Sequence, residues 1–224
     1  MENLKHVAYL LPHPDVTSEM DCRRMLPGHV IHVQRMWLED VGEEAERAMV
    51  EEELPAALRY LKGVAPYRCA VFGCTSASAA NGREGMLAIE ALMERELGCP
   101  AVTALGAVLR EIERRQARAV AVLTPYTRPV NDFFRKTMAD FGVEVCRIDG
   151  MGLSEDLDIA ALEPSAILDY ARAQVEHIPA QADLCFFSCT NLRSAEIRGQ
   201  LEQCLGRPVI TSNQCVIDYI QSLG

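Results

Sequence analysis

The sequence is short of basic charge: its 224 residues carry 22 Lys and Arg against 32 Asp and Glu, a formal net charge of −10. Nucleic acid and anionic membranes both demand a basic surface that releases counterions, so neither is expected as a partner. Long apolar runs are also missing. The longest near the N-terminus, Val7–Leu11, falls far below the ~18 residues of a bilayer span and below the roughly 7–15 of a secretory core. Asp15 follows with no small-residue cleavage site, and a cytoplasmic chain is expected. No CxxC pair occurs among nine cysteines, an odd count. That pattern offers neither a disulfide framework nor a zinc-finger spacing, and no metal is expected. Lysine is scarce around the motifs described below, which leaves a Schiff-base mechanism without a candidate.

What remains is ordinary globular composition, with 49% hydrophobic and 24% charged residues. Short β-rich runs at Val7–Leu11, His29–Met36, Cys69–Gly73, Ala119–Leu123, Glu144–Ile148, Asp183–Phe187 and Val209–Thr211 read as strands. Between them, Glu43–Leu61, Arg83–Leu97, Ala104–Arg115, Val130–Phe141, Ser165–His177 and Ser194–Leu205 place apolar residues at helical spacing. Strand–helix alternation of this rhythm means βαβ units, parallel sheets and the α/β class. The acidic stretch Glu43–Glu53 reads as a solvated helix face.

The chain also echoes itself. Cys69–Ser78 reads CAVFGCTSAS and Cys185–Ser194 reads CFFSCTNLRS, so an apolar strand ends in Gly or Ser, then Cys-Thr, then a polar turn and a helix. Cys74 and Cys189 stand about half a chain apart, which predicts two similar lobes rather than a solenoid of short repeats. Ligand crevices of open α/β sheets lie at the carboxyl ends of strands. If the lobes face one another, the two thiols meet across one cleft. A thiol at a helix N-terminus is expected to have a lowered pKa, whereas Cys22, Cys69, Cys99, Cys146, Cys185, Cys204 and Cys215 read as structural. Two cysteines on opposite sides of a carbon can remove a proton from one face and deliver one to the other, which suits racemisation, epimerisation or cis–trans isomerisation without cofactor. Thr75, Ser76, Thr190 and Asn191 offer donors for the charge that develops on a carboxylate. Tyr126, at a strand end after Pro125, reads as a further cleft donor.

Gly73–Ser76 and Ser188–Arg193, with Leu123–Tyr126, Asn131 and Phe141–Gly142, resemble the aspartate/glutamate racemase superfamily. Within it, the resemblance is to the branch of maleate cis–trans isomerase and arylmalonate decarboxylase, extending from Leu11 to Gln214 and looking most like ectoine-utilisation racemase-like proteins. The resemblance implies two pseudo-symmetric lobes with the site between them, and the expected division is 1–103 plus 209–224 against 104–208. It makes Cys74 and Cys189 catalytic and puts Thr75, Ser76, Tyr126, Asn131, Thr190 and Asn191 where a substrate carboxylate is gripped. It implies a small carboxylate substrate and no cofactor, and leaves a homo-oligomer open. In the decarboxylase the first cysteine position holds glycine, so both cysteines here count against a plain decarboxylase. One position departs: maleate isomerases carry Asn in the loop after the first strand, where this chain has Asp15. An ionised Asp repels a dicarboxylate such as maleate and suits a substrate ammonium, hydroxyl or amide, as in an amino acid or N-acylated diamino acid. The alternative is a helix-capping Asp ahead of Thr17–Glu19.

Overall fold

The computed structural model describes residues 4–223. The first half runs β1 (Lys5–Pro12), α1 (Thr17–Met25), β2 (His29–Met36), α2 (Glu43–Ala48), a π-helical turn (Met49–Glu53), α3 (Leu54–Leu61), β3 (Tyr67–Phe72), α4 (Thr75–Ala80), α5 (Gly82–Leu97), β4 (Ala101–Thr103) and α6 (Ala104–Arg115). The second half repeats the plan: β5 (Ala119–Tyr126), α7 (Arg128–Asp140), β6 (Glu144–Leu153), α8 (Asp156–Ala160), α9 (Pro164–Gln174), β7 (Leu184–Phe187), α10 (Arg198–Leu205), β8 (Val209–Thr211) and α11 (Ser212–Ser222). Two all-parallel sheets result, ordered β2-β1-β3-β4 and β6-β5-β7-β8. The two orders correspond strand for strand, as the internal echo predicts.

Both sheets are covered on both faces, which is why their central strands read as unbroken apolar runs rather than alternating ones. Along β1 the pleat sends Val7, Tyr9 and Leu11 into one core and Ala8 and Leu10 into another. The first core is continuous between the lobes and also takes in Val120–Leu123 of β5 and Cys185–Phe187 of β7. Helices α6 and α11, which follow the last strand of each sheet, pack on one another. Each begins at a threonine whose hydroxyl accepts a backbone N–H in the first turn: Thr103 from Gly106 at 3.0 Å and Thr211 from Gln214 at 3.2 Å.

Two expectations need correction. The tail 209–224 does not belong wholly with the first lobe: Val209, Ile210 and Thr211 pair with Cys185, Phe186 and Phe187 in the second sheet, and only α11 reaches back to α6 and α1. The three-residue β4 and the short helices α1, α4 and α8 are absent from the expected runs. β4 abuts α6 without a turn residue, so periodicity does not separate them.

Gly73, between β3 and α4, sits so close to the first strand that an added Cβ would lie 2.5 Å from Leu11 Cδ2 and 2.6 Å from Tyr9 Cε2. Both neighbours are fully buried. Gly73→Ala should therefore destabilise by about 1–3 kcal/mol, a fall in Tm of roughly 3–10 °C by calorimetry. An unchanged Tm would mean that Tyr9 and Leu11 yield freely.

Candidate active site

The two echoing cysteines end equivalent strands but are held differently. Cys74 is the N-cap of α4, in extended conformation, with its Sγ 3.6 Å from Ser76 Oγ. Cys189 has φ +104°, a region that favours glycine, and is followed by a turn and the short 3-10 segment Ala195–Ile197 rather than directly by an α-helix. The expected helix opening thus exists only at Cys74. A non-glycine residue held there is strained by roughly 1–3 kcal/mol. The conformation is fixed by Cys189 N–H donating to Ser212 Oγ at 3.2 Å and Asn191 N–H donating to Cys189 Sγ at 3.3 Å.

The two turns are bonded to each other. Thr75 Oγ1 donates to Ser212 Oγ at 2.9 Å, so one serine hydroxyl at the start of α11 receives both cysteine segments. Thr190 Oγ1 donates to Gly73 O at 3.2 Å, and Asn213 Nδ2 donates to Thr190 O and to Asp21 Oδ2, each at 2.8 Å. Four residues expected to grip a substrate carboxylate are consequently engaged within the protein. Besides Thr75 and Thr190, Asn191 accepts at Oδ1 from the N–H groups of Val16 (3.0 Å) and Thr17 (3.2 Å), and donates from Nδ2 to Pro14 O (3.3 Å) and Asp156 O (3.1 Å). Asn131 accepts from Thr124 Oγ1 at 2.7 Å, and Thr124 Oγ1 in turn receives Tyr126 N–H at 3.1 Å. These groups build the site. In this region the Tyr126 hydroxyl, Ser188 Oγ, Asn213 Oδ1, Asp15 Oδ2 and both oxygens of Glu46 are buried with no partner within 3.5 Å.

Asp15 caps the first turn of α1, the alternative of its two sequence readings. It is fully buried, and Oδ1 accepts Ser18 N–H (3.0 Å) and Ser18 Oγ–H (2.6 Å) in the first turn of α1, while Oδ2 has no partner. Burial pushes its pKa up to about 6, eased by the Ser18 bonds. Two further acids were not expected. Glu46, on the supposedly solvated helix, is fully buried, and burial pushes it up to about 8, with Asp156 and Asp40 adding to the rise. Asp156 is raised to about 7 by burial and by Asp15. The signal for Glu46 was its place three residues before buried Met49, on the apolar stripe of its helix. The charge count of that stretch obscured it. Nothing comparable marks Asp156.

Both thiols are pushed well above their ordinary range. Burial is the main cause; Glu46 and Asp156 raise Cys74 further, and Asp156 and Asp15 raise Cys189, against backbone N–H groups of Ala77 and Asn191 that favour the thiolate. The expected lowering at a helix N-terminus is therefore overturned: one six-residue helix does not offset burial beside carboxyl groups. Tyr126 is also raised by burial, and by Cys189 and Cys74, so both thiols bear on its hydroxyl. A cavity of about 80 Å³ is bordered by His13, Leu38, Asp40, Glu155, Asp156 and Leu157, and of these Asp156 bears on both thiols. A larger groove of about 400 Å³ around Met86, Leu109 and Phe141 includes neither thiol.

The raised carboxyls fix the sign of the pH dependence. Glu46 ionises near its ordinary 4.5 when unfolded but near 8 when folded, so between those values the unfolded chain alone gives up the proton and stability falls as pH rises. Asp15 and Asp156 act in the same direction at the lower end of that window. The Tm of the ligand-free protein should decline from pH 5 to 8, and Glu46→Gln should flatten the decline above pH 6. An identical slope in the variant would show that Glu46 does not hold its proton when folded.

The family model for arylmalonate decarboxylase matches residues 11–220. A maleate isomerase of Pseudomonas putida is 21% identical, covering 95% of this chain and 88% of that protein. An arylmalonate decarboxylase of Bordetella bronchiseptica is 25% identical, covering 86% and 79%. Among solved structures, a Nocardia farcinica maleate cis–trans isomerase mutant with a covalently bound succinylcysteine intermediate superposes with a TM-score of 0.89 at 17% identity, covering 98% of this chain and 92% of that one. The fold is thus that of these enzymes, and the chain belongs to the arylmalonate decarboxylase family.

Proposed function

We propose that this chain is a cofactor-independent isomerase, a racemase or epimerase acting at the carbon next to the carboxylate of a small acid, with Cys74 and Cys189 as its two proton carriers. The observation that carries the reading is their placement: equivalent strand ends bring both thiols to one buried site, joined through Ser212 and sharing the surroundings of Tyr126. One cysteine, as thiolate, takes the proton from the carbon, and the C–H electron pair moves into the carboxylate as an enediolate. The other thiol then gives its proton to the opposite face and is left as thiolate, so one proton enters and one leaves while the cysteines exchange roles. The unpartnered hydroxyls of Tyr126 and Ser188, with Ser76 Oγ, serve as donors to the enediolate. Thr75, Thr190, Asn131 and Asn191 act as positioning residues, and Asp15 both caps α1 and bears on Cys189.

Both relatives named above fit this chemistry. Maleate isomerisation and malonate decarboxylation each need charge stabilised beside a carboxylate, and the second cysteine favours the two-sided reaction over decarboxylation. The free state of all nine cysteines among the described residues fits the reducing cytoplasm. No helix of the described residues is long and apolar enough to cross a membrane.

Incubation with a panel of small acids in D2O, watching for deuterium at the carbon next to the carboxylate, identifies substrate and chemistry together. With that substrate, Cys74→Ala and Cys189→Ala should each lower isomerisation by about 10²-fold or more, and Cys204→Ala, outside the site, should leave it within about twofold. Near-normal turnover in either of the first two variants would end the two-thiol reading. In the empty protein neither thiol should alkylate faster at pH 7 than an exposed cysteine.

A further inference from the structure

We propose that the acid accepted by this site carries a cationic amino group in addition to its carboxylate, and that Glu46 and Asp156 receive that ammonium. The inference rests on the isomerase reading and narrows its substrate class. Its first support is a partner that the protein does not supply. Glu46 is fully buried with neither carboxylate oxygen hydrogen-bonded, and Asp15 Oδ2 is in the same condition. Buried polar groups are normally satisfied, and a carboxylate is among the most costly to leave bare. Once Glu46 ionises, the partner it lacks is a donor, because an ionised carboxylate only accepts, and a cation beside it is what would draw its proton off.

The chain offers Glu46 the hydroxyl of Ser76 and Asp15 that of Thr190, and no cation stands among the main charges on Glu46. The charges that bear most on Glu46, Asp156, Cys74 and Cys189 are all carboxylates: Glu46 feels Asp156 and Asp40, Asp156 feels Asp15, and the thiols feel these acids. Arg35, whose charge reaches Asp15, is engaged by the carbonyls of Asp15 (2.6 Å) and His13 (3.0 Å) and by Glu19 (2.6 Å). A divalent ion would be another way to satisfy carboxyls, but no three His, Cys, Asp or Glu side chains among the described residues stand in an arrangement able to hold one.

Topology and the neighbouring cavity agree. Glu46 lies in α2, the first helix after β2, and Asp156 in α8, the first after β6; these are corresponding elements of the two lobes, and Val41 N–H donates to Ser154 O at 3.1 Å where their leading loops meet. The cavity of about 80 Å³ beside Asp156 is lined by Glu39, Asp40, Glu155 and Asp156, with His13 and no Lys or Arg. An acidic lining concentrates cations and opposes a dianion. The bound ammonium would also offset the carboxyls that hold both thiols protonated, so the correct substrate would itself favour the thiolate.

A matched five-carbon series tests this by calorimetry at pH 7.5: valerate, glutarate, norvaline, 5-aminovalerate and ornithine. At least one amino-bearing acid should bind about tenfold or more tightly than both valerate and glutarate, and that preference should collapse towards unity in Glu46→Gln and in Asp156→Asn. Both variants replace a carboxyl by an amide of nearly the same shape that cannot ionise, and circular dichroism checks that each folds. Valerate or glutarate binding as tightly as the best amino-bearing acid, no binding by any amino-bearing member, or a preference unchanged in both variants would overturn the proposal. Deuterium exchange on the same samples separates the two readings. Exchange without a charge preference sinks this inference alone, and a charge preference with no exchange into any bound member sinks the isomerase reading alone.

Discussion

The hydroxyl of Ser212 is where the two halves of the molecule become one site. It receives Thr75 from the first cysteine turn and the backbone N–H of Cys189 from the second, while Thr190 closes the same junction on Gly73 O. Both bonds are short-range and buried, so each constrains geometry more than it adds net stability. The parallel sheets place the strand ends, α6 and α11 press the lobes together, and these few bonds set the strained backbone of Cys189 against Cys74.

Burial has opposite effects on the fold and on the chemistry. The apolar surroundings that exclude water from the site would strengthen any hydrogen bond to a developing enediolate. They also keep Cys74, Cys189 and Glu46 protonated in the empty protein. A site arranged in this way rests in a neutral state, and its reactive ionisation waits on what the ligand brings. That is also why the thiols of a two-cysteine enzyme need not behave as exposed, reactive cysteines in the absence of substrate.

Much of the architecture was legible because parallel strands buried on both faces write themselves as apolar runs, and the repeat of Gly/Ser-Cys-Thr marks corresponding ends of the two sheets. β8 was misplaced in the first lobe because three residues carry no record of their pairing partner. The site was legible at the level of which turns meet and less so at the level of what each side chain does. Thr75, Thr190, Asn131 and Asn191 have the donors that a carboxylate needs, and sequence cannot reveal that the protein uses those donors first. Glu46 was hidden by its neighbours: in a run of acids one member faces inward, and only its spacing from Met49 and Leu54 distinguishes it from the solvated rest.

The central claim is that two thiols work from opposite faces of one carbon, and the distribution of solvent hydrogen tests it most directly. A single enantiomer of an exchanging acid is incubated in D2O, and substrate and product enantiomers are separated at early conversion. Two carriers predict deuterium in the product enantiomer while recovered substrate remains unlabelled, because the proton returned to the far face comes from the second, solvent-equilibrated thiol. Equal early labelling of both enantiomers would mean that one group serves both faces, and would contradict the account.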